Sequence, residues 1–482
     1  MNRNLFHLIC FLALICALLP IHSKAQNSCI DGKVTNNGEG IANVVVTDGN
    51  KCVLSDKKGH YSIPASANTE FVYVSTPSGY LPQDSLNIPR FYQKVNFKKT
   101  ATYNFELKKN PRNDNNHLLL VHSDPQFFKE GNFDHYSKVV DDCLATINEN
   151  KERDVFGIDC GDLAGDRSEL YPKYIDCLNR TNVPFYRVLG NHDMNYGGRT
   201  DETSTKTYNH TFGPAYYSFN RGKVHYIILD NVFYFGRDYF YMGYIDERIF
   251  QWLEQDLSYI PKGSTVFLAM HIPACLEEQP QPFSYNSVSM GDQTVNASSL
   301  FNMLKPYHVH ILTGHMHYNR NIIHSTSMYE HNTGATCGTW WQGDYCLDGA
   351  PIGYGVYQID GDKVSWYFKS AGHPRDYQMR AYPVGSNTDF PEDISVNVWN
   401  WDKNWKVEWY ENGINQGEMI RCESIDPEVA KMCADKEKLE FKWIGPIKTD
   451  HIFRATPQNK NTMIEIRVTD SFNNVYQTTI KQ

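Results

Sequence analysis

Five apolar runs in the middle of this chain each lead into a cluster of Asp, Asn or His, and that regularity restricts the fold more than any other feature. Residues 118–121 lead to Ser123-Asp124-Pro125-Gln126, and residues 155–158 to Asp159-Cys160-Gly161-Asp162. Residues 186–189 end in Gly190-Asn191-His192-Asp193, residues 265–270 in His271, and residues 309–312 in Gly314-His315-Met316-His317. Between them lie stretches with helical period. Residues 133–148 place Tyr136, Val139, Val140, Cys143, Leu144 and Ile147 on one face, and residues 170–178, 246–258 and 298–305 also read as helices. Residues 223–229 read as a further strand. Residues 356–367, with Asp360-Gly361 at the turn, read as a closing hairpin. Alternating strands and helices imply an α/β domain whose sheet is parallel or mixed and covered by helices. Sheets of this kind bind ligands at the carboxyl ends of their strands, which is where all five polar clusters fall.

The residue types in those clusters fit a centre with two metal ions. Carboxylates, imidazoles and amide oxygens hold divalent ions such as Mn²⁺, Zn²⁺ or Fe, and two ions roughly 3.5–4 Å apart can clamp the attacking and leaving oxygens of a displacement at phosphorus. One carboxylate must lie between the ions, and Asp162 suits that place. His315 and His317, one residue apart, share a side if extended geometry continues past the strand. Glycines directly before Asp162, Asn191 and His315 permit tight turns.

Taken in order, Asp124-x-Gln126, Gly161-Asp162, Gly190-Asn191-His192-Asp193, His271 and Gly314-His315-x-His317 resemble the motif series of the calcineurin-like metallophosphoesterases. The resemblance implies an αββα core of two mixed sheets flanked by helices, set between two β-sandwich domains as in exported bacterial members. It implies one metal held by Asp124, Gln126, Asp162 and His317, and a second held by Asp162, Asn191, His271 and His315. His192 would face the substrate, stabilising the transition state or protonating the leaving oxygen, and Asp193 would fix the turn or orient His192. The implied reaction is in-line attack of a metal-bound hydroxide on a phosphomonoester or phosphodiester, with two divalent ions as cofactors: Mn²⁺ first, with Zn²⁺, Fe or Mg²⁺ as alternatives. The chain departs from the commonest family pattern at Gln126, where His is usual. A glutamine carbonyl is a harder, neutral donor, which bears on the first ion's identity and favours Mn²⁺ over Zn²⁺. Two rival readings are a degenerate core serving as a binding or scaffold protein, which Gln126 alone favours, and a nucleotide pyrophosphatase, which aromatic loops permit.

The rest of the chain frames this core. Arg3, the apolar residues 5–19 and Ser23-Lys24-Ala25 read as a signal peptide over residues 1–25, so the expected location is periplasmic or secreted. Residues 27–110 and 380–482 show short β runs broken by turns and are expected to form β-sandwiches, leaving 117–375 as the catalytic domain. No later stretch is long and apolar enough to span a bilayer. A net charge of −9 argues against nucleic-acid polymers and anionic membranes as partners. The expected partner is a small-molecule, glycan, lipid or nucleotide phosphate ester. After export ten of the twelve cysteines remain, and Cys29 with Cys52, Cys337 with Cys346 and Cys422 with Cys433 are plausible disulfides. Asp159 and Asp166 are expected to support turns or ligands, and His308 and His310 to pack. His122 is open to either role. Tyr196, residues 208–210 and Trp340-Trp341 either contact substrate or fold their loops onto the core. Cys160 is expected to be a buried small hydrophobe.

Overall fold

The apolar runs are strands of two mixed sheets in a computed structural model that describes residues 29–482 apart from 65, 67, 99–101, 237–240, 279–286 and 460. The expected signal segment lies outside the described residues. The core strands are β1 (Asn116–His122), β2 (Asp154–Asp159), β3 (Phe185–Arg187), β4 (Tyr217–Arg221), β5 (Val224–Ile228), β6 (Thr265–Ala269), β7 (His308–Thr313), β8 (Arg320–Ser325), β9 (Met328–Asn332), β10 (Gly353–Asp360) and β11 (Lys363–Ser370). One sheet runs β3-β2-β1-β10-β11 and the other β4-β5-β6-β7-β9-β8. β1, β2 and β3 are parallel, as are β5, β6, β7 and β9.

Alternation along β1 explains the layering. Leu119 and Val121 face the second sheet and join Phe156, Ile158, Phe267 and Leu312 in the core between the sheets. Leu118 and Leu120 point the other way, against Tyr136, Val139, Val140 and Cys143 of helix α1 (Asn132–Glu149) and Tyr171, Tyr174 and Leu178 of α2 (Tyr171–Asn179). The second sheet is covered in the same way by α3 (Glu247–Leu257) and α4 (Ala297–Leu304), through Trp252, Leu253, Leu300 and Leu304. The result is the αββα sandwich. Asp246 starts α3 by accepting from the Arg248 backbone N–H at 2.7 Å, the capping expected of an Asp before a helix.

Strands β8 and β9 carry too little apolar signal to be read from sequence. β9 buries Glu330 and His331, at 1% and 3% exposure. Glu330 repays its burial by accepting from His324 Nε2 at 2.7 Å and from the Ala274 and Cys275 backbone N–H groups at 2.7 and 3.3 Å. Those contacts also pin the loop that follows His271.

The flanking β regions pack directly on the core. The N-terminal strands form two principal four-stranded sheets, and their Phe91 ring lies 4.4 Å from that of Tyr217. The C-terminal strands form two more four-stranded sheets around Val396, Trp409, Ile464 and Ile466. They are keyed to the core by a buried polar network. Asp348 accepts from the Asn319 backbone N–H at 2.8 Å and pairs with His451 Nε2 at 3.1 Å. His451 Nδ1 meets Asn397 Oδ1 at 2.7 Å, and the Asn397 amide donates to Asp426 at 2.8 Å.

The expected disulfides are not formed: all ten described cysteines are free. Cys29 and Cys52 sit in different sheets, opposite Pro64 and Thr47 respectively. The Cys337 thiol faces the Gly338 carbonyl and His317, while that of Cys346 donates to the Ala335 carbonyl. Cys433 is turned into a small apolar cluster beside Val429 and Leu439, away from Cys422.

Candidate metal centre

The carboxyl ends of β1, β2 and β3 meet those of β6 and β7 at one end of the sandwich, where loops bond to their neighbours within each sheet and, through His315 and Asp124, across the two. The Gly314 backbone N–H donates to the His271 carbonyl at 3.0 Å, and Gln126 N–H to the Asp162 carbonyl at 2.9 Å. His315 N–H donates to the Asp124 carboxylate at 2.9 Å, and His192 N–H to that of Asp162 at 2.8 Å. Space is the reason for two of the three glycines. A Cβ on Gly190 would lie 2.1 Å from the Asp162 nitrogen, and one on Gly314 2.1 Å from Ser123 Oγ. Only Gly161, at φ +94°, needs its backbone freedom as well.

Strain is concentrated here. Asp124, Gln126, Asp162, His315 and His317 have φ of 49°, 33°, 54°, 72° and 55°. Left-handed backbone is uncommon outside glycine and costs on the order of 1–3 kcal/mol per residue. Five of the seven expected ligands carry that cost at the ends of otherwise regular strands.

Their side chains fall into two overlapping sets. In one, His271 Nε2 lies 2.9 Å from Asn191 Oδ1, 3.2 Å from His315 Nδ1 and 3.3 Å from Asp162 Oδ2. The donor atoms of Asp162, His271 and His315 all lie within 4.8 Å of one another. In the other, His317 Nε2 lies 3.6 Å from Asp124 Oδ1, and the Gln126 amide donates to Asp162 Oδ2 at 2.7 Å. Asp162 belongs to both. His315 and His317 therefore diverge, one into each set.

This arrangement fits divalent ions. Asp124 Oδ1 and Gln126 Oε1 are buried with no hydrogen-bond partner, a costly state for polar atoms unless a cation occupies their lone pairs. Both atoms lie in the same set. His271 and His317 each commit Nδ1 to a backbone carbonyl, of Cys160 and Gly338, at 2.8 Å, which leaves Nε2 facing inward as metal-binding histidines require. Burial opposes charge on Asp162, but His271 and His192 outweigh it and hold the carboxyl below the ordinary range. Burial and the neighbouring His271 push His315 down to about 3.

His192 differs from the rest. It is 26% exposed at the side chain, and its Nδ1 lies 2.7 Å from Asp166 Oδ1, which leaves Nε2 toward the open side. Burial disfavours its charge, yet Asp162 and the Asp166 hydrogen bond raise its pKa to about 9. Asp166, itself at φ 59°, also accepts from Tyr196 OH at 2.5 Å. Asp193 points away from this opening. It accepts from the Leu163 and Gly190 backbone N–H groups at 3.1 and 3.0 Å and from Tyr171 OH at 2.9 Å, so it locks the two loops together. Asp159 accepts from Tyr174 OH at 2.9 Å, and His122 faces Cys143 Sγ at 3.2 Å; neither joins the ligand sets. His310 packs against His331 at 3.0 Å. Cys160 is buried in the core between the sheets.

Both tryptophans pack on residues of the site itself. Trp341 donates its indole N–H to the Pro125 carbonyl at 3.1 Å and stacks on Phe127, folding its loop onto the Asp124–Gln126 turn. Trp340 lies flat on the His317 imidazole, 4.1 Å between centroids and 18° between planes. Tyr208 donates to the Arg187 carbonyl at 2.8 Å, so its helix is structural.

Comparison with known proteins agrees with the geometry. Residues 28–110 match the family described as the N terminal of Calcineurin-like phosphoesterase, residues 117–319 Calcineurin-like phosphoesterase, and residues 330–476 the C terminal of Calcineurin-like phosphoesterase. The last match begins inside the core, since β9, β10 and β11 pair in the core sheets. A search of curated proteins gives no match. Among solved structures, a dimetal phosphatase from Danio rerio is similar at 11% identity over 53% of this chain and 96% of that one, with a TM-score of 0.38. A purple acid phosphatase from yellow lupin seeds is similar at 11% identity over 68% and 67%, with a TM-score of 0.35. A 5'-nucleotidase from Candida albicans is similar at 12% identity over 55% and 53%, with a TM-score of 0.33. The three family matches follow one another along the chain, and the central one takes in every residue of both ligand sets: the chain belongs to the calcineurin-like phosphoesterases, metal-dependent enzymes that hydrolyse phosphoric esters.

Proposed function

We propose that this protein is an exported phosphomonoesterase or phosphodiesterase with a dinuclear centre. Asp124, Gln126, Asp162 and His317 would hold one ion, and Asp162, Asn191, His271 and His315 the other. The observation that carries this reading is the pair of unpartnered buried oxygens on Asp124 and Gln126 beside a second cluster of donors, with Asp162 common to both. Bound ions supply Lewis acidity and lower the pKa of water, from 15.7 to near 7 at some zinc centres. The chain's own contribution is positioning and proton transfer. Asp166 fixes the His192 ring through Nδ1, so that Nε2 can hold a proton toward the leaving oxygen of the ester. Asp193 keeps the turn that carries His192 against the loop after Asp162. The motif at Arg3, residues 5–19 and Ser23-Lys24-Ala25 supports export.

The test is bound metal per chain together with turnover of a panel of monoesters, diesters and nucleotides, with Asn191→Ala as the reference variant. We expect more than one equivalent of Mn²⁺ on the wild type and hydrolysis of at least one ester class. Asn191→Ala should lose roughly tenfold or more in metal affinity or rate. Equal rates for variant and wild type would refute the ligand assignment.

Gln126 gives a second expectation. Replacing its neutral oxygen with imidazole favours Zn²⁺, so Gln126→His should bind Zn²⁺ about tenfold more tightly than wild type in competition titrations against Mn²⁺. An unchanged Zn²⁺/Mn²⁺ preference would remove Gln126 from the ion's surroundings.

A further inference from the structure

The C-terminal domain reaches the mouth of the metal centre. After its helix at Pro427–Ala434, the chain anchors Leu439 and Ile444 in a small apolar cluster and presents the residues between them to the core. Glu440 pairs with Lys129, and its backbone N–H donates to Gln342 Oε1 at 2.7 Å. Phe441 packs edge-on against Phe128, 5.3 Å between centroids, and Trp443 packs edge-on against Trp340 at 4.5 Å. Trp340 lies on the imidazole of His317. A continuous aromatic wall therefore runs from an expected metal ligand, through Trp340 and Trp443, to Phe441 and the loop that follows Gln126.

Two features set this wall apart from ordinary core packing. Trp443 is 65% exposed, although a tryptophan gains most when its large apolar area is covered. Trp340 and Trp341 are both left-handed, with φ of 52° and 63°, a rare state for bulky residues. That backbone turns Trp340 onto His317 while its neighbour is fastened to the Pro125 carbonyl. Polar groups at the rim are already engaged: Gln342 Oε1 by Glu440 N–H, Gln342 Nε2 by the Trp340 carbonyl at 3.1 Å, and Glu440 by Lys129. The broadest exposed surface at this rim is the π face of Trp443.

Resting on the hydrolase reading above, we propose that Trp443, with Trp340 and Phe441, forms the subsite for the leaving group, and that this group carries a planar aromatic ring. The substrate would then be a nucleoside or aryl phosphate ester, selected in part by the C-terminal domain. The Gln342 amide and Glu440, which a sugar or polyol would engage, are already bonded, whereas an aromatic ring needs only the exposed Trp443 face.

The test compares kcat/KM for phenyl phosphate, adenosine 5′-monophosphate and glycerol 2-phosphate in the wild type, Trp443→Ala and Trp443→Phe. Stacking is sequence-tolerant and strong enough that the ratio of ring-bearing to glycerol ester should fall about 10- to 100-fold in Trp443→Ala, with Trp443→Phe keeping most of it. A greater fall for the nucleotide than for phenyl phosphate assigns nucleosides; the reverse assigns aryl esters. An unchanged ratio overturns the proposal. Calorimetric titration with phenylphosphonate and methylphosphonate separates this from the hydrolase reading. If no ester is turned over, that reading fails, and the subsite is upheld only if phenylphosphonate binds more tightly than methylphosphonate in wild type and this preference is lost in Trp443→Ala. Equal binding of the two phosphonates overturns it.

Discussion

Asp162→Asn is expected to reduce kcat/KM toward any accepted ester by on the order of 10³-fold or more, and to leave the protein with fewer bound ions. Losing Lewis-acid stabilisation worth several kcal/mol corresponds to a rate loss of about that size. The substitution keeps shape and removes charge at the one residue common to both donor sets. Asp162 receives the Gln126 amide and the His192 backbone N–H and lies beside His271. An asparagine amide cannot accept from all of them, and its neutral oxygen cannot bridge two cations. Elemental analysis of the purified variant, alongside hydrolysis of an aryl phosphate, checks both halves. Activity within tenfold of wild type at full metal content would show that Asp162 does not join the two sets.

His192→Asn should behave differently. We expect kcat to fall by about 10²- to 10⁴-fold, the usual contribution of a positioned proton donor, while bound metal stays at the wild-type level. His192 is outside both donor sets and touches Asp162 only through its backbone N–H. Asp166→Asn should lose less, roughly 10- to 100-fold, and should add little on top of His192→Asn, since the two act as a unit. The pH profile gives an independent readout. Asp166 raises the pKa of His192, so the protonated ring persists to higher pH with Asp166 than without it. Removing that carboxylate should move the alkaline limb of the rate profile to lower pH. An unmoved limb in Asp166→Asn would mean that His192 is not the proton donor.

The site was legible in sequence where a strand delivers its ligand directly. At Asp124, Asp162, Asn191, His271 and His315 the apolar run marks the strand, and the polar residue comes within a few positions of its end, so local order along the chain carries most of the geometry. The αββα layering was accessible only through resemblance. Helical and strand periods say that faces are covered, not that two sheets share one core. Partnerships set by the packing of distant loops were illegible. Asp166 looks like a turn acid until the fold brings it to His192. Glu330 looks misplaced in a strand until the Ala274 and Cys275 amides close on it. Trp443 lies more than a hundred residues beyond the last expected ligand, in a region whose β texture shows no chemistry. The cysteine pairs failed for a related reason: closeness in sequence did not set the thiols toward each other.

The buried network around Asp348 bears on how such a protein can change over generations. Asp348 is fully buried, and its imidazole partner, His451, comes from the C-terminal domain, while the backbone N–H groups of Ala350 and of Asn319, two residues past His317, also donate to its carboxylate. Exchanging residues 380–482 for an unrelated sandwich would leave that carboxylate with the two backbone N–H groups alone, and removing a hydrogen-bond partner from a buried polar group costs about 1–3 kcal/mol, a sizeable part of an ordinary domain's stability. A replacement C-terminal domain would therefore have to supply a partner in place of His451 to keep the loop after His317 as it is.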